Sequence, residues 1–166
     1  MPQVRPQWID GLKVPSVVAL DPGGTTGVAI LSARGVLVAE HLTGEHHKDL
    51  WNLLQDIDPD IVVCESFEFR NKSRDNLELI SKEYIGIVKL WYRTHPSQVL
   101  SMQTAAMGKG FITDKGPNAN EPLKKLGWYF PSMKHANDAV RHLVYYLATK
   151  NNYPTLKQEI LKQGFK

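Results

Sequence analysis

A chain of 166 residues, 42% hydrophobic and 22% charged, has the size and composition of one soluble globular domain with room for a real core. No apolar run approaches the roughly 20 residues of a membrane span, the opening MPQVRPQWIDGLK lacks the apolar centre of a secretory signal, and the single cysteine, Cys64, excludes an intramolecular disulfide and a cysteine-clustered zinc site. A formal charge of +3 and a pI near 8.9 permit a polyanionic partner without establishing one.

Residues 1–14, with Pro2 and Pro6 and little periodicity, read as an N-terminal arm. Val17, Val18, Ala19 and Leu20 then give a buried strand over 16–21 that closes on Asp21 and the turn Pro22-Gly23-Gly24-Thr25-Thr26, and a second strand follows over 27–32. This is a hairpin with Asp21 at its mouth. A carboxylate beside so much apolar surface is costly unless something compensates it. A bound metal is one source of compensation; the N–H groups of Gly23 and Gly24 are another. On this stretch alone the two stand level.

Ala33-Arg34-Gly35 turns the chain into a third strand over 36–41. Leu50, Leu53, Leu54 and Ile57 form a helical stripe over 48–57. That helix is a crossover to a fourth strand over 61–65, apolar throughout as a strand covered on both faces should be, with Cys64 as a small core residue before the closing Glu65. Residues 74–94 carry apolar positions at Leu77, Ile80, Tyr84, Ile87, Val88 and Trp91 and predict a long helix. Pro96 ends it, and 98–100 predict a short fifth strand. Gly108, Gly110 and Gly116 mark 102–118 as loop with room for a short helix; further helices are predicted over 120–126 and 137–149, and a C-terminal helical extension over 154–166. With no internal repeat, residues 1–166 read as a single domain.

The order predicts a mostly parallel mixed sheet in which Asp21 and Glu65 end neighbouring strands on the same edge. A third acid lies in His135-Ala136-Asn137-Asp138, where positions i and i+3 at a helix start share a face. An aspartate in a first helical turn is ordinarily explained by the helix dipole. Three isolated acids, each at the end of an apolar element, are also the oxygen ligands that Mg2+ or Mn2+ requires.

At this point the sequence resembles a family. ALDPGGTTGVAIL, then IVVCESFEF, then HANDAVRHLVYYL, in that order on those elements, resemble the RuvC-type Holliday junction resolvases of the RNase H-like superfamily, especially phage-encoded members, over roughly 16–150. The resemblance implies an α/β fold, a mixed five-stranded sheet in the order 3-2-1-4-5 with one antiparallel strand and helices on both faces. It implies a metal-dependent, structure-selective endonuclease that cuts four-way junctions, and leaves flaps and forks open. Asp21, Glu65 and Asp138 take the places of the family's metal-binding catalytic acids, and His135 that of its active-site His or Asp. Two Mg2+ ions per site, with Mn2+ as substitute, and the cytoplasm of a bacterium or phage-infected host are implied in the same way. The family's base-stacking aromatic falls on Glu68, flanked by Phe67 and Phe69.

Phe67, Phe69, Arg70, Lys72 and Arg74 alternate aromatic and basic character just beyond Glu65, the composition of a DNA-contacting loop. Lys109 and Lys115, with Lys124 and Lys125, make a second basic group. The 74–94 helix has a second apolar side with Leu79, Ile85, Leu90 and Tyr92, and a homodimer through this helix is expected, as in RuvC-type resolvases; the segment after Pro154 is the intramolecular alternative for covering it. Two other classes stand beside the nuclease. Asp21 to Thr26 also resemble the phosphate-gripping hairpin of actin, Hsp70 and sugar-kinase ATPases, which need a duplicated second domain. A non-catalytic branched-DNA-binding relative is the other, and the presence of all three acids speaks against it.

Overall fold

The computed structural model describes residues 1–67 and 76–166, and for 76–78 the backbone alone. Six strands form one sheet: β1 (Gln3–Val4), β2 (Val17–Asp21), β3 (Thr26–Leu31), β4 (Leu37–Leu42), β5 (Ile61–Glu65) and β6 (Val99–Gln103). Their order is β1-β4-β3-β2-β5-β6. β2 pairs antiparallel with β3 and parallel with β5, and β5 pairs parallel with β6. The five expected strands are therefore β2–β6, in the expected order, with β3 running against the rest.

The sixth strand gives the N-terminal arm over residues 1–14 a structure that its sequence does not announce. Gln3 and Val4 pair antiparallel with Val38 and Leu37, a 3-10 turn follows at Gln7–Ile9, and Ile9 and Val14 are buried. The Trp8 indole N–H donates to the Leu126 carbonyl at 2.8 Å, fastening the arm to the far side of the chain. Two prolines hid this, because a two-residue edge strand leaves no periodicity to detect.

Two helical layers cover the sheet. On one face α1 (His47–Ile57) and α2 (Asn76–Thr94) pack on the side chains of Val18, Leu20, Val28, Val62 and Cys64. On the other, α3 (Ala105–Phe111), α4 (Glu121–Leu126), α5 (Lys134–Thr149) and α6 (Pro154–Gly164) enclose Val17, Ala19, Ala29, Leu31, Ile61 and Val63. The period-two alternation along β2 divides these two cores, which is why every residue of the strand is buried. Among the described residues no helix is long and apolar enough to cross a membrane.

Two details differ from expectation, and a third is the short helix for which the sequence leaves room. The fifth strand runs Val99–Gln103, past its apolar part, because hydrogen bonding to β5 carries Ser101 and Gln103 along. Residues 105–111 are helical despite Gly108 and Gly110. α6 packs on α4 and α5, on the opposite face from α2, so it does not cover the second side of α2. On that helix Ile85 is buried in the core, whereas Leu79 and Leu90 are exposed, at 57% and 54%.

Candidate active site

Asp21 and Glu65 close β2 and β5 at the same sheet edge, because the two strands run parallel in register from Val17↔Ile61 to Leu20↔Cys64. Helix α5 delivers the third acid. Asp21 lies opposite Gly27 in the β2–β3 ladder, and a Cβ at Gly27 would collide with the His135 carbonyl. Glycine there lets the first turn of α5 lie against the hairpin. The same turn is capped from β4: the Ala136 N–H donates to His41 Nε2 at 3.1 Å, so one free helix-end donor is satisfied by a ring nitrogen.

The consequence is a compact group in which ligand atoms of Asp21, His135 and Asp138 all lie within 4.8 Å of one another. These residues, with Gly24, Lys109 and Lys134, line a cleft of about 300 Å³. Glu65 stands on the other side of Lys109. The Lys109 ammonium is 3.5 Å from Glu65 Oε2 and 3.8 Å from Asp138 Oδ2. A second cleft of about 590 Å³, lined by Glu65, Ser66, Phe67, Ser81, Lys109 and Lys115 among others, opens beside the first.

The electrostatics follow from burial. Desolvation raises the Asp21 carboxyl above the ordinary carboxylate range, partly offset by the nearby His135 ring and increased again by the charge of Glu65. Burial would raise Glu65 too, but the hydrogen bond from His142 and the charge of Lys109 overcome it and hold this carboxyl at about 2. His135 is raised, chiefly by its close contact with Asp21, whose Oδ2 lies 3.7 Å from Nδ1. Burial alone would lower Lys109, but the negative charges of Asp21, Glu65 and Asp138 raise it instead.

The turn after Asp21 is not braced by the aspartate. The Gly23 N–H donates to Thr26 Oγ1 at 3.3 Å, and Thr26 Oγ1 lies 2.6 Å from Nε2 of the fully buried His46, whose ring stacks on Tyr84 at 3.8 Å. The hairpin is thus tied to α2 through Thr26, which leaves the Asp21 carboxylate for the cleft.

Of the residues proposed for DNA contact, Lys109 lies among the acids, Lys115 is exposed at the mouth of the larger cleft, and Phe67 lines that cleft with the Lys82 ammonium 5.0 Å from its ring centre. Glu68, Phe69, Arg70, Lys72 and Arg74 lie outside the described residues. Lys124 pairs with Glu121 at 3.2 Å and Lys125 donates to the Lys166 carbonyl at 3.4 Å.

Sequence reasoning missed the groups that support the acids. Arg141, one turn after Asp138 and almost wholly buried, donates to Asp138 Oδ1 at 3.1 Å and to Asn120 Oδ1 at 2.8 Å. His142 and Gln103 attend Glu65. A buried arginine at i+3 from an acid was a usable signal; His142 looked like one more residue in an apolar helix.

No protein-family model matches the chain, and no curated protein matches it significantly. Two solved structures from Thermus thermophilus share its architecture. RuvC in complex with a Holliday junction substrate superposes with a TM-score of 0.60 at 18% identity, covering 80% of this chain and 94% of that one. A second RuvC structure gives 0.55 at 16% identity, covering 78% and 93%. The chain has the RuvC-like form of the RNase H fold, extended by one edge strand.

Proposed function

We propose that the chain is a metal-dependent endonuclease that cleaves four-way DNA junctions and related branched DNA. The observation that carries this is the meeting of Asp21, Asp138 and His135 within 4.8 Å, with Glu65 joined to them through Lys109, at one sheet edge of a fold that RuvC shares. The donor set suits Mg2+ or Mn2+: carboxylate oxygens and one imidazole, with Asp21 held at a desolvation cost that a cation would offset.

Asp21, Glu65 and Asp138 would hold two such ions, Asp21 as the shared ligand. Bound there, the metal pair would supply an activated water and neutralise charge on the phosphate and the leaving oxygen. The chain's own residues do the rest. His135, 3.7 Å from Asp21 and about half exposed, orients the attacking water and moves its proton. Lys109 draws the scissile phosphate toward the acids, and Lys115 with Lys134 holds the strand on either side of the cleft. Phe67 in the larger cleft and Phe69, Arg70, Lys72 and Arg74, which follow it in the sequence, serve as stacking and phosphate contacts.

A junction has near two-fold symmetry, and two matched nicks from one site per chain require two copies, so the working form is a homodimer. Its interface lies on the exposed side of α2 with Leu79 and Leu90, Ile85 being committed to the core. The deciding experiment incubates the chain with a labelled four-way junction and with linear duplex of the same sequence, with Mg2+, Mn2+ or chelator. Paired, metal-dependent cuts in the junction alone are expected. Equal cutting of linear duplex, or no metal dependence, sinks the proposal.

A further inference from the structure

Glu65 sits in a closed hydrogen-bonded ring that no packing requirement explains. Its Oε2 is 2.7 Å from His142 Nε2, and the other ring nitrogen, Nδ1, is 2.8 Å from Gln103 Oε1. The Gln103 amide cannot turn over, because its Nε2 donates to the His142 carbonyl at 3.2 Å. Gln103 is also the register partner of Glu65 on the neighbouring strand, and its carbonyl accepts from Ser66 N–H at 2.6 Å. Both imidazole nitrogens are therefore engaged, one with Gln103 and one with Glu65, and the ring ties β5, β6 and α5 into one unit.

The ring is also clamped from the side. His142 is wholly buried, and Gly108 of α3 packs against it so closely that a Cβ there would stand 2.6 Å from Nδ1 and 2.8 Å from Cε1. Leucine at 142 would fill such a space without burying polar atoms, which cost free energy unless every one is paired. Here each ring nitrogen is paired, and the partner that reaches the cleft is a proposed metal ligand.

We propose that His142 is a positioning residue: held by Gln103 and Gly108, it fixes one oxygen of Glu65 and hence the orientation of the whole carboxylate toward a metal ion beside Asp21 and Asp138. This rests on the reading of these acids as metal ligands. His142 touches neither the ion nor the DNA.

The test measures Mn2+ binding to the full chain without DNA, by calorimetry and by loss of the free-ion electron-spin signal, beside thermal melting of the metal-free protein. His142→Leu is expected to weaken Mn2+ binding by about 10- to 100-fold, the range for outer partners of metal ligands. His142→Gln, which keeps a donor, recovers part of that loss. Gln103→Leu, which frees the ring to turn, gives an intermediate loss and decides the matter if His142→Leu does not fold. Parent-like affinity in folded His142→Leu, or in Gln103→Leu where the first variant does not fold, overturns the proposal and leaves His142 a core residue. A parent chain that takes up no Mn2+ overturns the metal reading as well, so the two failures are distinguishable.

Discussion

The backbone of His135 lies so close to Gly27 that residue 27 has no room for a Cβ. This contact is what brings α5 to the mouth of the β2–β3 hairpin, since Gly27 is also the ladder partner of Asp21. Gly27→Ala is therefore expected to destabilise the protein, at or above the upper end of the 1–3 kcal/mol typical of overpacking, because the obstacle is main chain and not a movable side chain. Denaturant unfolding measures it. Parent-like stability would mean that the first turn of α5 does not approach β3 in solution.

Asp21→Asn separates the chemistry from the fold. Loss of the shared carboxylate should reduce cleavage by more than the roughly 100-fold that even an outer partner can cost, while junction binding survives, because the change also removes a negative charge facing a polyanion. Stability gives a second readout. A carboxyl whose folded pKa is raised binds its proton more tightly in the folded chain, so its ionisation lowers stability as pH rises through the usual carboxylate range and beyond. Metal-free Asp21→Asn should thus melt higher than the parent at neutral pH, with the difference vanishing in acid. Near-parent cleavage by this variant would reduce Asp21 to a turn residue.

Much of this was legible in the sequence because each proposed metal ligand among the acids interrupts an apolar run at its end. Asp21 after Val17 to Leu20, and Glu65 after Ile61 to Cys64, announce buried strands that stop at a carboxylate, and parallel pairing then places both at one edge. What was not legible depends on contacts distant in the chain. Nothing near position 109 says that Lys109 will stand between Glu65 and Asp138, since α3 has two glycines and a single turn of register decides where its lysine points. Ile85 was misplaced for a related reason: on a helix apolar all round, periodicity does not say which side meets the sheet, and Ile85 falls beside Tyr84 and Val88 in the core.

Glu65 gives the acid limb of stability. Its carboxyl sits at about 2 in the folded chain, below the ordinary value of 4.5, through His142 and Lys109 acting against burial. A depressed carboxyl contributes stability that is complete above the unfolded pKa and is lost as pH falls toward the folded one. Melting temperature should fall between about pH 4.5 and 2 in the parent, and that slope should flatten in Glu65→Gln. An unchanged slope would show that Glu65 is not charge-paired in the native state.

Two substitutions on α2 should behave in opposite ways. Ile85→Glu puts a carboxyl group into the core layer at a position 7% exposed, where burying a polar group without a partner takes several kcal/mol from a margin of about 5–15 kcal/mol. That variant should be strongly destabilised as a monomer, so it does not report on assembly. Leu90→Glu changes a residue that is 54% exposed in the single chain and should leave melting of the monomer unchanged. If the exposed side of α2 joins two copies, a charge at Leu90 removes an apolar anchor worth about 2 kcal/mol or more at an interface centre, a weakening of roughly 30-fold or greater. Sedimentation of parent and Leu90→Glu with junction DNA, beside an assay for paired cuts, measures both consequences. A parent that dimerises and a Leu90→Glu that nicks one strand at a time support the α2 interface, whereas a strictly monomeric parent making uncoupled nicks leaves a general branched-DNA nicking enzyme.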